Sequence, residues 1–165
     1  MAISGGSAGG CLALIYAYRD ADTSPVPVRM VFEAVGPGSF HVEDWDIFGL
    51  DQSAEAAAGL FSVMSGQTIS PKDIASGAYL EAVKPISADR WVTKDTVPSV
   101  LCYGVHDKMQ PFAASKPLVA ALEENGVDYR YFVAEHSGHG LQNDKKVYMA
   151  YLDAVEEYLD KYMRE

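Results

Sequence analysis

The amino-acid sequence predicts an α/β fold in which helices cover a parallel β-sheet. Short apolar runs typical of buried strands alternate with longer segments whose apolar residues have helical spacing, an order that favours a parallel sheet. The last such segment, residues 143–163, carries one broad apolar stripe suited to covering a sheet. The 165 residues are 48% hydrophobic and 22% charged, which fits one globular domain with a buried core.

The first part of the chain contains two predicted strands and one helix. Residues 2–4 have the pattern of a strand end, residues 8–20 that of a helix, and residues 28–35 that of a buried strand. Gly36-Pro37-Gly38 ends this second strand.

A looser pattern follows in residues 39–96. It includes an alanine-rich helix over 53–65 and a short helix that begins at Ser70-Pro71, with Ser70 as N-cap and Pro71 at the first helical position. We interpret residues 39–96 as a cap-like insertion over a single partial domain that spans residues 1–165.

The remaining elements alternate regularly. The sequence predicts a strand over 97–103, a helix over 111–124, a strand over 129–133 and a final helix over 143–163. Asn125-Gly126 is a typical left-handed helix stop.

Charge and cysteine content narrow the function classes. The formal net charge is −10 and the pI about 4.7, which argues against nucleic-acid and anionic-membrane partners because both require a basic face. No apolar stretch has transmembrane length and no signal-peptide pattern is visible, so we expect a cytoplasmic protein. Cys11 and Cys102 lie in apolar stretches and are expected to be buried thiols rather than a disulfide.

A glycine-rich motif follows the first strand. Gly5-Gly6-Ser7-Ala8-Gly9 fits Gly-x-Ser-x-Gly, in which a nucleophilic serine occupies a sharp strand-to-helix turn. Small residues at Gly5 and Gly9 would let the turn close without clashes. The backbone N–H of Ala8 would then point at a forming oxyanion, assisted by the helix dipole.

Phosphate-binding alternatives fit this segment poorly. The dinucleotide fingerprint Gly-x-Gly-x-x-Gly fails at Ser7 and Ala8, and the P-loop fails because Cys11 stands where a lysine is required. A nucleotide-binding or flavodoxin-like domain is therefore disfavoured, whereas a purely structural glycine turn remains open.

Two further candidate residues follow predicted strands. Asp107 comes after the strand 97–103, where an acid could orient a histidine, and His139 lies between two glycines after the strand 129–133. His136 is an alternative to His139, but flanking glycines would let His139 approach the nucleophile. The histidines and Asp107 lack the spacing of known metal sites, so we do not expect a metal here.

The chain order Ser7, Asp107, His139 is that of α/β-hydrolases. The segment Gly5 to Ala13 resembles the nucleophile elbow of α/β-hydrolase esterases and lipases, especially the acetyl-esterase, hormone-sensitive-lipase-like and feruloyl-esterase-like groups. At the position of Cys11 these esterases commonly have a histidine, so the sequence differs from their motif at this one residue.

Two more segments carry the same resemblance. Tyr103-Gly104, with Asp107 and Pro111, resembles the acid loop of these esterases, and Gly138-His139-Gly140 resembles their histidine loop. The resemblance implies a serine carboxylesterase that acts on small-molecule esters of short acyl groups without a cofactor. Ser7 would be the nucleophile, Asp107 the acid, His139 the base and the Ala8 N–H an oxyanion donor.

The elbow begins at residue 5, so the resemblance covers only the C-terminal part of such an enzyme. Its N-terminal strands and its His-Gly-Gly-Gly oxyanion loop find no counterpart in this sequence. We therefore expect the strand 28–35 to expose an unpaired edge through which chains associate as a homo-oligomer. The alternative to an active esterase is a truncated, catalytically impaired remnant that self-associates.

Overall fold

The computed structural model describes residues 1–164 and contains one sheet of four parallel strands. The strands follow one another across the sheet in chain order, β1-β2-β3-β4. They are β1 Ala2–Gly6, β2 Met30–Ala34, β3 Ser99–Gly104 and β4 Tyr129–Ala134. The predicted parallel sheet is confirmed.

Helices cover both faces of the sheet. The α-helices are α1 Ala8–Tyr18, α2 Ala54–Ser65, α3 Pro71–Ser76, α4 Tyr79–Val83, α5 Lys116–Glu124 and α6 Lys145–Met163. Helices α1 and α5 contribute to a core on one face, and α6 packs on the other. All six residues of β3 are buried, as expected for a strand covered on both sides.

The segment between β2 and β3 contributes most of a third core, which Ala114 completes from the loop after β3. Its centre is aromatic: Phe40 stacks on Trp45, and Phe61 packs edge-on against both. The predicted start of α3 is confirmed, since Ser70 and Asp73 form a capping box. Helix α4 and the short 3-10 helices here were not predicted, because a helix of one or two turns is too short to show an apolar period. That this segment is a cap-like insertion stays a prediction.

Two expectations about the elements need correction. The helix expected over 111–124 is divided into a 3-10 turn, Phe112–Ser115, and α5, which begins at Lys116 with Pro117 in its first turn. Proline is tolerated there because the N–H groups of the first turn have no intrahelical acceptor.

The expected exposed edge on the strand 28–35 is wrong. Strand β2 pairs with β1 along its whole length, from Ala2 opposite Met30 to Gly6 opposite Ala34, and with β3 on its other side. Within the described residues the outer strands are β1 and β4. The strand end at residues 2–4 is in fact a complete five-residue strand, which gives β2 its neighbour.

Both cysteines are free thiols, as expected, with Cys102 buried and Cys11 half-buried. Burial raises the pKa of Cys11 to about 11 and that of Cys102 to about 12, so both stay protonated and unreactive at neutral pH. Across residues 1–164, none of the helices combines the length and apolarity that membrane crossing requires.

Candidate active site

Ser7 occupies the turn between β1 and α1 in a strained conformation. Its φ is 55° and its ψ −128°, a combination that non-glycine residues rarely adopt. The Ser7 N–H donates to the carbonyl of Ala34, 2.9 Å away, so β2 holds the strained residue in place. The surrounding fold thus keeps the Ser7 side chain at the tip of the turn, at the carboxyl end of the sheet.

Close packing around the elbow requires glycine at two places. A Cβ at Gly5 would overlap the backbone carbonyl of Gly9, and a Cβ at Gly10 would lie 2.7 Å from Oε2 of Glu33 and 3.0 Å from Cα of Gly36. The expected steric need for a small residue at Gly9 is wrong, since a Cβ there meets nothing within 4 Å. The second position at which the turn needs a residue without a side chain is therefore Gly10, not Gly9.

Asp107 is buried immediately after β3 and accepts three hydrogen bonds. Its Oδ1 accepts from the backbone N–H groups of Met109 and Gln110, at 2.7 and 3.0 Å. Its Oδ2 lies 2.7 Å from Nδ1 of His139. The two backbone donors fix the carboxylate, so that one oxygen remains available to the imidazole.

His139 connects the other two residues. Its Nε2 lies 2.9 Å from Oγ of Ser7, while its Nδ1 faces Asp107. The side chain of His139 is 30% exposed, so its ring can be reached from solvent, whereas that of Asp107 is 1% exposed. The structure therefore brings together all three side chains that the sequence singled out.

The loop that carries His139 is closed by Asp144. The Asp144 carboxylate accepts hydrogen bonds from the backbone N–H of His136 at 2.9 Å and from Oγ of Ser137 at 2.6 Å, and its Oδ1 lies 2.9 Å from Nδ1 of His136. Asn143 adds two bonds across the same loop, to Ser137 and His136. The ring of His136 thus contacts Asp144 and not Ser7, so His136 is no longer a candidate for the base. Asp144 raises the pKa of His136.

Within residues 1–164 there is no group of three His, Cys, Asp or Glu side chains that could hold a metal ion. His139 and Asp107, the side chains of these types nearest to Ser7, take part in the hydrogen bonds described above.

An apolar pocket of about 270 Å³ opens beside Ser7 and His139. Ala8 contributes to its wall, next to the nucleophile. The apolar lining residues are Pro37, Trp45, Phe48, Leu60, Met64 and Met109. One polar residue, Gln110, also lines it. The pocket has room for a small, uncharged group next to the serine hydroxyl.

A carboxyl group that the sequence analysis did not identify lies beneath the elbow. Glu33 on β2 is fully buried, and its Oε2 accepts a hydrogen bond from the N–H of Gly36 at 2.8 Å. Burial raises its pKa from an ordinary value near 4.5 to about 8, and the nearby Tyr103 hydroxyl and the N–H of Gly36 offset only part of this. Glu33 is therefore neutral near pH 7 and packs against Gly10 of α1.

Both the sequence and the fold of this chain resemble those of known proteins. The sequence matches the prolyl oligopeptidase family over residues 1–165, whereas no curated protein sequence matches it. The fold is similar to that of an esterase from Thermogutta terrifontis, with a TM-score of 0.67 at 18% identity, covering 97% of this chain and 54% of that one.

Two further solved structures share the fold. A puromycin-hydrolysing peptidase from Mycobacterium tuberculosis has a TM-score of 0.71 at 20% identity, over 99% of this chain and 22% of that one. A truncated carbohydrate esterase from gut microbiota has a TM-score of 0.68 at 16% identity, over 98% of this chain and 59% of that one. This chain thus spans about half the length of the two esterases. The expected resemblance to α/β-hydrolase esterases is confirmed for the fold, and the chain belongs to the prolyl oligopeptidase family.

Proposed function

We propose that this protein is a serine hydrolase that cleaves carboxylic esters. The observation that carries the proposal is the position of His139, whose two ring nitrogens lie 2.9 Å from Ser7 Oγ and 2.7 Å from Asp107 Oδ2. A nucleophile, a base and an acid in this chain of contacts form the arrangement needed for acyl transfer.

The reaction has two halves. In the first, Ser7 Oγ attacks the ester carbonyl while Nε2 of His139 takes the hydroxyl proton, and the proton is then given to the departing alcohol. This leaves an acyl group on Ser7. In the second, His139 takes a proton from water, the hydroxide attacks the acyl carbonyl, and the proton returns to Ser7 as the acid is released. Asp107 holds the imidazole and stabilises its cation in both halves.

The oxyanion that forms in each half needs a hydrogen-bond donor. Ala8 is the first residue of α1, so its N–H has no acceptor within the helix. It follows the nucleophile directly and lies at the positive end of the helix dipole. We assign the Ala8 N–H as an oxyanion donor, as the sequence suggested.

The pocket beside Ser7 favours a short acyl group. It measures about 270 Å³, and aromatic and aliphatic side chains form most of its wall. A buried charge would be costly against such a surface. We therefore propose short, uncharged acyl esters as substrates.

Peptide hydrolysis is a second candidate, and two observations favour it. The chain belongs to the prolyl oligopeptidase family, and one protein of similar fold is a peptidase. Esters and amides differ in their leaving group. An amine leaves only after His139 has protonated its nitrogen, whereas the alkoxide of an ester departs more readily. The same three residues would serve both reactions.

Two matched substrates separate these candidates. We expect the protein to hydrolyse p-nitrophenyl butyrate, with the activity lost in Ser7→Ala, and to cleave butyryl p-nitroanilide far more slowly. Faster cleavage of the anilide would favour the peptidase. No Ser7-dependent hydrolysis of either compound would contradict both.

A catalytically impaired, self-associating remnant remains the non-enzymatic alternative. The outer side of β1 or of β4, rather than an edge of β2, would then be the surface through which chains pair, because each of these two strands has one strand neighbour in the described sheet. Light scattering coupled to size-exclusion chromatography measures this. A dimer without ester turnover would support the remnant, and a monomer would remove the proposed edge pairing.

A further inference from the structure

Two buried side chains hold Gly36, which lies just after β2, at both its N–H and its carbonyl. Oε2 of Glu33 accepts a hydrogen bond from the Gly36 N–H at 2.8 Å, and the Tyr103 hydroxyl donates to the Gly36 carbonyl at 2.9 Å. Neither side chain is accessible to solvent. Glu33 and Tyr103 therefore form a buried clamp on the backbone of Gly36.

The clamped residue lies directly against the start of α1. A Cβ at Gly36 would lie 2.8 Å from the backbone nitrogen of Cys11 and 2.8 Å from the carbonyl carbon of Gly10, so the two backbones are in close contact. The N–H groups of Gly10 and Cys11 in turn donate to the Ser7 carbonyl, at 2.9 and 3.2 Å. The position of Gly36 thus limits where the turn that carries the nucleophile can lie.

The residue between β2 and the clamp is strained. Val35 has a φ of 52°, in the left-handed region that a β-branched residue rarely adopts. Such a conformation persists only where the surrounding contacts impose it. On one side of Val35 the Ala34 carbonyl accepts the Ser7 N–H, and on the other side the clamp holds Gly36. Release of Gly36 would let Val35 relax, and the movement would reach Ser7 through Ala34.

The burial of Glu33 has a cost in stability. Its Oε1 is buried without a hydrogen-bond partner, and an unpaired polar atom in the interior is unfavourable. What the carboxyl group supplies is a fixed acceptor, Oε2, for the Gly36 N–H.

We propose that Glu33 is a positioning residue, which together with Tyr103 holds Gly36 against the elbow and so keeps Ser7 in its reactive position. The inference rests on the proposed hydrolysis at Ser7. Glu33 is fully buried, and other residues form the wall of the pocket beside Ser7. Opening the clamp therefore lowers kcat and leaves KM nearly unchanged.

Three variants change the clamp in different ways. Glu33→Gln keeps a carbonyl oxygen that can accept from the Gly36 N–H, Glu33→Met removes the acceptor at similar size, and Tyr103→Phe removes the second bond. For each variant, kcat and KM for p-nitrophenyl butyrate and the rate of labelling by a fluorophosphonate are measured at pH 7, together with thermal unfolding. The double variant Glu33→Met/Tyr103→Phe completes a cycle.

Tyr158→Phe is the matched control for the loss of a buried tyrosine hydroxyl. This hydroxyl donates to Asp128, which directly precedes β4 and so lies at the end of the sheet opposite Ser7. The control should lose stability without losing kcat. An equal loss of kcat in this variant and in Tyr103→Phe would show a general effect of destabilisation and would overturn the inference.

We expect kcat and the labelling rate to fall about tenfold or more in Glu33→Met and in Tyr103→Phe, because a small displacement of the nucleophile is enough. Glu33→Gln should retain most of the activity that Glu33→Met loses. The double variant should lose less than the product of the two single losses, since both bonds act on the same residue.

Unchanged kcat in a folded Glu33→Met protein would overturn the inference while leaving ester hydrolysis intact. Equal losses in Glu33→Gln and Glu33→Met, or single losses that multiply in the double variant, would also overturn it. Absence of Ser7-dependent turnover in the wild type would instead overturn the proposed function. If Glu33→Met does not fold, Tyr103→Phe provides the same test, and unchanged kcat in that variant would contradict the clamp.

Discussion

Oδ2 of Asp107 lies 2.7 Å from Nδ1 of His139, while Oδ1 of the same carboxylate is held by two backbone N–H groups. The orientation of the acid is therefore set by the loop after β3, independently of the histidine. A carboxylate that is already fixed in this way selects one tautomer of the imidazole, with the proton on Nδ1 and the lone pair of Nε2 directed at Ser7.

Asp107→Asn should lower kcat/KM for esters by about 10³–10⁴-fold, with little loss of folding. The amide oxygen would keep the bonds from the N–H groups of Met109 and Gln110. Its NH₂ would then face Nδ1 of His139 and force the wrong tautomer. Turnover of p-nitrophenyl butyrate and thermal unfolding of the same samples test this. Unchanged turnover would exclude Asp107 as the orienting acid.

The elbow glycines should respond differently to alanine. In Gly5→Ala the new methyl group overlaps the Gly9 carbonyl, so the turn must open and Ser7 must move. We expect activity to fall about 100-fold or more, as a displacement near 1 Å can cause. Gly9→Ala is the matched control, because the space there is open. Equal losses in both variants would contradict this account of the turn.

Glu33→Gln should make stability less dependent on pH. The pKa of Glu33 is about 8 in the folded protein and near 4.5 when unfolded, so between these values the folded state binds more protons. The free energy of unfolding therefore falls as pH rises across this window and levels off above the folded-state pKa. Glutamine cannot ionise and removes this slope.

Denaturant unfolding at pH 5 and pH 8 measures the effect of Glu33. We expect the stability difference between Glu33→Gln and the wild type to shift in favour of the variant as pH rises. A constant difference would show that the Glu33 carboxyl does not titrate in this range. Cys11 and Cys102, which lie close enough to interact with Glu33, stay protonated throughout.

Asp144→Ala should impair catalysis, although Asp144 acts by holding the loop that carries His139 and not by binding the substrate. The Asp144 carboxylate joins three groups of the loop that carries His139, and its loss releases the loop. We expect kcat to fall up to about 100-fold with KM nearly unchanged, because positioning rather than binding is affected. His136→Ala removes one of these contacts and should cost less. A higher KM at unchanged kcat would argue against a positioning role.

Local pattern predicted a parallel sheet and its main helices, and it singled out Ser7, Asp107 and His139, which the structure brings together. Ser7 directly follows β1, and Asp107 and His139 lie in the loops after β3 and β4. Parallel strands bring their carboxyl ends to one edge of the sheet. The precise start of α5 and the short helices after β2 were not predictable, because one or two turns leave too few residues for a period.

The residues that the sequence analysis missed depend on tertiary packing. Glu33 lies within an apolar strand, and only the register that sets it opposite Gly5 brings it beneath the elbow. Asp144 was assigned simply to the start of the last helix, and its bonds to the loop of His139 cannot be inferred from spacing.

The most direct test of the central claim is the reaction of the purified chain with a fluorophosphonate, followed by intact-mass measurement. We predict one adduct per chain, absent in Ser7→Ala, because His139 lies 2.9 Å from Ser7 Oγ and can take its proton. A protein that is folded by circular dichroism and yet forms no adduct would contradict the claim that Ser7 is an activated nucleophile.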